Sequence, residues 1–173
     1  MKILLAGRKR SGKDTAAAYL TKLYGGESFS FAKPLYDIMY AYQDRIGVPR
    51  HKDRKFLQWL GDFARQSNPD VWINLCFSDA AKSSASKIFI TDGRYENELD
   101  GARDRGYTIV KIDASDEIRR TRLDPDDNIN DTHKSEHGYP DDYPFDYVLT
   151  NNWTMADFEA VLKDLGHKLT HPE

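Results

Sequence analysis

Short apolar runs alternate along the chain with stretches in which apolar residues recur every three or four positions, a pattern that predicts strand, helix, strand, helix. "KILLA" (2–6) is a short buried strand ending at a glycine loop, and "KDTAAAYLTKLY" (13–24) a helix closed by Gly25 and Gly26. "SFSF" (28–31) is a second candidate strand. Helical spacing runs from Lys33 to about Ile46, where Gly47, Val48 and Pro49 break it, and returns in "RKFLQWLGDFARQ" (54–66) with Phe56, Leu57, Leu60 and Phe63 at helical spacing. Asn68 and Pro69 predict the N-cap and first residue of a further helix through Ala81. "KIFIT" (87–91) is the third strand, followed by an acidic helix to Gly106, and "YTIVKI" (107–112) is the fourth. "SDEIRRTR" (115–122) starts a short helix, "FDYVLT" (145–150) is the last strand, and Thr154 with Asp157 forms a capping box for the helix "MADFEAVLKDLG" (155–166).

Strands alternating with helices predict an α/β fold with a doubly wound, five-stranded parallel sheet covered on both faces. The polar, Pro- and Asp-rich piece from Leu123 to Pro144 is long for a loop inside a compact domain, and such loops are often lids.

Composition narrows the class. With 173 residues, one domain with a real core is expected, and 39% hydrophobic against 31% charged residues suits a globular enzyme or binding domain. The apolar run Ile3–Ala6 is too short to span a bilayer or serve as a signal peptide, so no membrane association and a cytoplasmic location are expected. The lone Cys76 lies in the apolar helical pattern "VWINLCF" and is expected to be a buried structural thiol. A net charge of −3 gives no overall field for polyanions, and no stripe of aromatic and basic residues points to nucleic acid. Phosphate binding therefore has to be local. Basic residues cluster at Arg8, Lys9, Arg10 and Lys13, at Arg50, Lys52, Arg54 and Lys55, and at Arg119, Arg120 and Arg122.

The first cluster lies in "GRKRSGKDT". Gly7, Gly12 and Lys13 fit G-x-x-x-x-G-K between a strand and a helix, where converging backbone N–H groups, a helix N-terminus and a lysine hold phosphate oxygens. Arg10 and Ser11 belong to the same loop. Asp14 stands where the strict motif has a magnesium-binding hydroxyl; it either holds Mg²⁺ through water or caps the helix, and Thr15 can reach an α or β phosphate. A second carboxylate, Asp92, ends a buried strand at the sheet edge where ligands bind in such folds, a position from which it can hold Mg²⁺; Arg94 can direct its planar fork at a second phosphate. The bland alternative has Asp92 capping the next helix and Arg94 pairing with Glu96 or Glu98. Two phosphate sites suggest transfer between them by positioning and charge neutralisation, with no strong base required.

These residues resemble the phage-type deoxynucleoside monophosphate kinases, a branch of the P-loop nucleotide kinases, over nearly the whole chain. The resemblance rests on "GRKRSGKDT", "LQWLGDFARQSNPDVW", "ITDGRYENELDGARDRG", "DTHKSEHG" and "DYVLTNNWTMADFEAVL". It implies a P-loop kinase fold with a helical acceptor-binding region (about 31–84) and a lid (about 115–144). It also implies ATP as co-substrate, Mg²⁺, and a deoxynucleoside 5′-monophosphate as acceptor. Carried onto this sequence, Lys13 and its loop hold the ATP phosphates, and Arg94 and Arg65 the acceptor phosphate. Arg119, Arg120 and Arg122 supply lid charge, Asn151 and Asn152 an adenine-side contact, and Glu98, His133 and Glu136 substrate contacts.

Phe31 and Tyr36 are the leading candidates to stack on the acceptor base, against a core role for each; Trp59, Phe63 and Trp72 have weaker claims. His133 and His137 lack the third ligand a metal pair needs. A dephospho-coenzyme A kinase, in which Asp92 is the base, and a non-catalytic nucleotide-binding module stay open as alternatives. So does a homodimer, and the cytoplasm is the host's if a phage encodes the chain.

Overall fold

The computed structural model describes residues 1–123, 134–136 and 138–171. The chain divides into two compact units, one of residues 1–28 and 84–173 and one of residues 29–83.

In the first unit the predicted alternation forms one sheet in the order β2-β3-β1-β4-β5, from β1 (Lys2–Ala6), β2 (Glu27–Phe29), β3 (Ile88–Gly93), β4 (Thr108–Asp113) and β5 (Tyr147–Thr150). The pairs β1–β3, β1–β4 and β4–β5 are parallel, so the C-terminal ends of these strands share one edge. Alternate side chains take opposite faces. Ile3, Leu5, Phe89, Val110 and Ile112 are buried with Ala16, Ala17 and Leu20 of α1 (Lys13–Tyr24) and Phe158, Leu162 and Leu165 of α7 (Met155–Thr170). Leu4 turns the other way, towards Leu99 of α5 (Glu96–Arg103), and Gly93 lets them meet because any Cβ there would strike both leucines. Helix α6 (Asp116–Thr121) starts at Ser115, whose hydroxyl accepts from the Ile118 amide at 3.3 Å.

The closing helix runs four residues past the predicted stop at Gly166. That glycine lies inside α7, where a side chain would overlap the Tyr24 ring, whose hydroxyl donates to Lys163 O at 3.1 Å. The capping box at Thr154 and Asp157 forms as expected.

The second unit holds α2 (Lys33–Arg45), α3 (Arg54–Ser67) and α4 (Val71–Lys82). Asn68 does not N-cap α4. Pro69 disfavours helical backbone at the residue before it, so Asn68 is extended and ends α3; its Oδ1 then accepts from Asp70 N at 3.1 Å, and α4 starts at Val71. Trp72 and Cys76 are core residues, and the Trp72 indole donates to Gly61 O at 3.2 Å. Among the described residues no helix is long and apolar enough to cross a membrane.

Candidate active site at the phosphate loop

The loop between β1 and α1 is shaped by its carbonyls. Lys13 Nζ donates to Gly7 O at 2.7 Å and Arg8 O at 2.8 Å, and Arg119 Nη1 to Lys9 O at 3.1 Å. Arg122 Nη1 reaches Arg10 O and Ser11 O, each at 3.4 Å, and Asn151 Nδ2 donates to Ser11 O at 2.8 Å. Five successive carbonyls are thus drawn to cations or an amide, the peptide orientation a phosphate cradle needs. Two glycines make it sterically attainable. Gly7 (φ 141°) would drive a Cβ into Ile112 O, and Gly12 (φ 106°) into Asn151 Nδ2. Arg10 also takes a left-handed conformation, with φ 63°. The Ser11 hydroxyl, 1% exposed, has no hydrogen-bond partner among the described residues.

Lys13 is buried, and its amine is pushed down to about 7, first by burial and then by the charge of Arg94, against the upward pull of Asp14, Glu136 and Asp92. Lys13 thus feels one cation and three carboxylates, from α1, the end of β3 and the 134–136 turn. Burial works against Arg94's charge, yet Glu136 and Asp92 hold its pKa above the ordinary value. Arg94 Nη1 meets Glu136 Oε1 at 2.6 Å, while Glu136 Oε2 accepts from the Lys9 amide at 2.8 Å.

Several expected site residues do other work. Glu98, 3% exposed, turns its carboxylate to the backbone, accepting from Arg94 N at 2.8 Å and Tyr95 N at 3.1 Å. It caps α5 and holds the backbone of Arg94 in place. Among the described residues Arg94 is ion-paired with neither Glu96 nor Glu98 but with the loop residue Glu136, 42 positions away. Arg119 is 1% exposed, held between Lys9 O and Asp116 Oδ1 (2.7 Å), and so braces the phosphate loop. Arg122 braces the same loop and Asn151, Asn152 Oδ1 accepts from Ser115 N at 2.8 Å, and only Arg120 of the three arginines is exposed.

In the second unit Phe31 is a core residue, 2% exposed, in a T-shaped pair with Phe77 at 5.8 Å. Tyr36 is half-buried beneath Lys52, and Arg65 lies 3.9 Å from Asp62. His133 and His137 lie outside the described residues.

A cavity of about 330 Å³ opens beside the loop, lined by Arg10, Lys13, Asp14, Thr15, Arg122 and Asn151 together with Trp153 and Met155. Trp153 is 61% exposed and Met155 56%. Neither residue is among those expected from the sequence. The available signal was two large apolar residues flanking the polar cap of a helix, where solvent exposure is forced unless a partner covers them.

The family model for deoxynucleotide monophosphate kinase matches residues 2–53. A protein of Acanthamoeba polyphaga mimivirus, provisionally named deoxynucleotide monophosphate kinase, is 30% identical over 183 residues that cover 89% of this chain and 90% of that protein. The chain belongs to the deoxynucleotide monophosphate kinase family. The family's phage T4 member is 26% identical across 81% of the chain, which spans 54% of that enzyme's length. Shikimate kinase from Aquifex aeolicus (TM-score 0.57, 20% identity, 98% of this chain and 96% of that one) shares the fold of this nucleoside monophosphate kinase. So does a gluconokinase from Sinorhizobium meliloti (TM-score 0.55, 14% identity, 98% and 95%).

Proposed function

We propose that this kinase transfers the γ-phosphoryl group of Mg·ATP to a deoxynucleoside 5′-monophosphate, forming the diphosphate and ADP. The observation that carries the reading is that Lys13, on Gly7 O and Arg8 O of the donor loop, and Arg94, at the end of β3, converge there: Glu136 joins Arg94 Nη1 at 2.6 Å to the loop's Lys9 amide at 2.8 Å, and the charge of Arg94 helps lower the Lys13 pKa. Juxtaposed cations are unfavourable until polyanions separate and neutralise them, which is what a donor triphosphate and an acceptor phosphate do.

In this reading Lys13 and the loop amides hold the donor phosphates, and Arg94, aimed by Glu98, receives the acceptor phosphate or the transferring group. Adenosine lies in the cavity walled by Trp153 and Met155. Because the acceptor is an oxyanion, the residues need only align it and neutralise charge. Mg²⁺ usually keeps several waters and takes one or two carboxylates plus phosphate oxygens, so Asp14 and Asp92, both of which act on Lys13, suit it. When bound, it would neutralise phosphate charge. Arg65 and Tyr36 are carried as acceptor-side residues of the helical unit, and the 115–144 stretch as a lid.

The test is ADP release by the purified chain with Mg·ATP across deoxynucleoside and ribonucleoside monophosphates and dephospho-coenzyme A, with Lys13→Ala as control. Turnover on deoxynucleotides that is lost in the variant is expected. Turnover on dephospho-coenzyme A alone, or ATP binding with no acceptor, overturns the reading.

A further inference from the structure

The Glu136 contacts set an anion against anion-binding groups. Its carboxylate comes from a turn 127 residues away in sequence, yet both oxygens end on donors of the phosphate site, the Lys9 amide at 2.8 Å and the Arg94 guanidinium at 2.6 Å. A planar guanidinium and a loop N–H are the donors that phosphoryl oxygens use, and a carboxylate satisfies them with the same two-oxygen geometry. The side chain, only 7% exposed, is no swinging surface group. Its backbone is registered on the end of β3: Tyr95 bridges Gly138, Glu96 N donates to Gly138 O at 2.8 Å, and a Cβ at Gly138 would strike Arg94 O. Burial favours the protonated acid, but the charge of Arg94 and the Lys9 amide bring Glu136 below its ordinary pKa, so the group is anionic.

We propose that Glu136 is an internal occupant of the phosphate seat, holding the Lys9 amide and Arg94 until an incoming phosphoryl group displaces it. The inference rests on the phosphate-binding part of the kinase reading. It makes Glu136 a self-blocking contact that ties loop release to phosphate arrival and lowers affinity for any polyanion. A carboxylate that merely positioned Arg94 would have the opposite effect when removed.

The full chain is titrated calorimetrically with inorganic tripolyphosphate, which reports on the seat without a base. Glu136→Gln and Glu136→Ala, each checked for wild-type circular dichroism, are expected to bind at least about tenfold tighter, the scale of one charge-assisted contact. Unchanged or weaker binding overturns the proposal. A measurement on the wild-type chain stands independently of either variant: the ¹³C shift of the Glu136 carboxyl is expected to move to that of a solvated glutamate on saturation, and retention of its shift overturns the displacement. Turnover is read separately in the acceptor panel. A chain that binds tripolyphosphate but phosphorylates no deoxynucleotide would remove the kinase reading alone, whereas turnover without tightening in the variants would remove the Glu136 proposal alone.

Discussion

Replacing Gly12 by alanine should damage the phosphate loop by a route that can be dissected. The added Cβ would overlap Asn151 Nδ2, which donates to Ser11 O at 2.8 Å in a buried setting. Expelling that amide costs about 1–3 kcal/mol for the unmade buried bond. Holding alanine at a φ of 106° adds about 1–2 kcal/mol more. The sum, about 2–5 kcal/mol, is a large share of a typical stability of about 5–15 kcal/mol. Urea unfolding of the wild type, Gly12→Ala, Asn151→Ala and the double variant separates the two terms. In the Asn151→Ala background the overlap is gone and only the strain remains, so Gly12→Ala should cost about 1–2 kcal/mol there, a coupling of about 1–3 kcal/mol. A Gly12→Ala cost below about 1 kcal/mol, or a coupling indistinguishable from zero, would refute the steric reasoning.

Other outcomes follow from the same site. Lys13, held at about 7 against an ordinary 10.5, is mostly neutral at pH 8; phosphate should restore its charge, so ATP binding at that pH should take up about 0.9 proton. Calorimetry in buffers of different ionisation enthalpy measures this, and no buffer dependence would count against it; affinity should fall as pH rises above about 7. On the folding side the sign is fixed by the same shift: between about 7 and 10.5 the unfolded chain binds the extra proton, so this group's contribution to stability is present above 10.5 and is lost as pH falls through about 7. Glu98→Ala strips the Arg94 and Tyr95 amides of their acceptor, for an expected loss of about 1–3 kcal/mol in thermal or urea unfolding and a KM rise for the acceptor exceeding that for ATP. Trp153→Ala should raise the KM for ATP roughly 5- to 100-fold, the range of one base–aromatic stack, with Trp153→Phe recovering part; an unchanged KM would place adenosine elsewhere.

The strands and most helices were legible because a buried parallel strand must be an apolar run and a surface helix must show a 3.6-residue stripe. "KILLA" and "KDTAAAYLTKLY" are such cases, and the glycine spacing between them carries its own geometry. Boundaries failed where packing or the next residue in the chain overruled a residue's own preference. Gly166 lies inside a helix, where the Tyr24 ring fills the space a side chain would need, and Pro69 converts Asn68 from a helix start to a helix end. For aromatic candidates the sequence gives chemistry but not burial: Phe31 can stack on a base by type, and the fold packs it in the core against Phe77.

By itself the sequence determined the phosphate loop, the parallel α/β pattern and the residue types able to neutralise two phosphates, because each depends on spacing within a few positions. Only the tertiary structure decided which charges meet. Arg119 and Arg122 look alike in the chain and were expected to supply lid charge; folding places both on loop carbonyls, and Glu98 on backbone amides. Glu136 joins Lys9 and Arg94, and Trp153 reaches the cavity, through strand order and register across the sheet. Charge and hydrogen bonding act through space over a few ångströms, and that proximity is set by the fold.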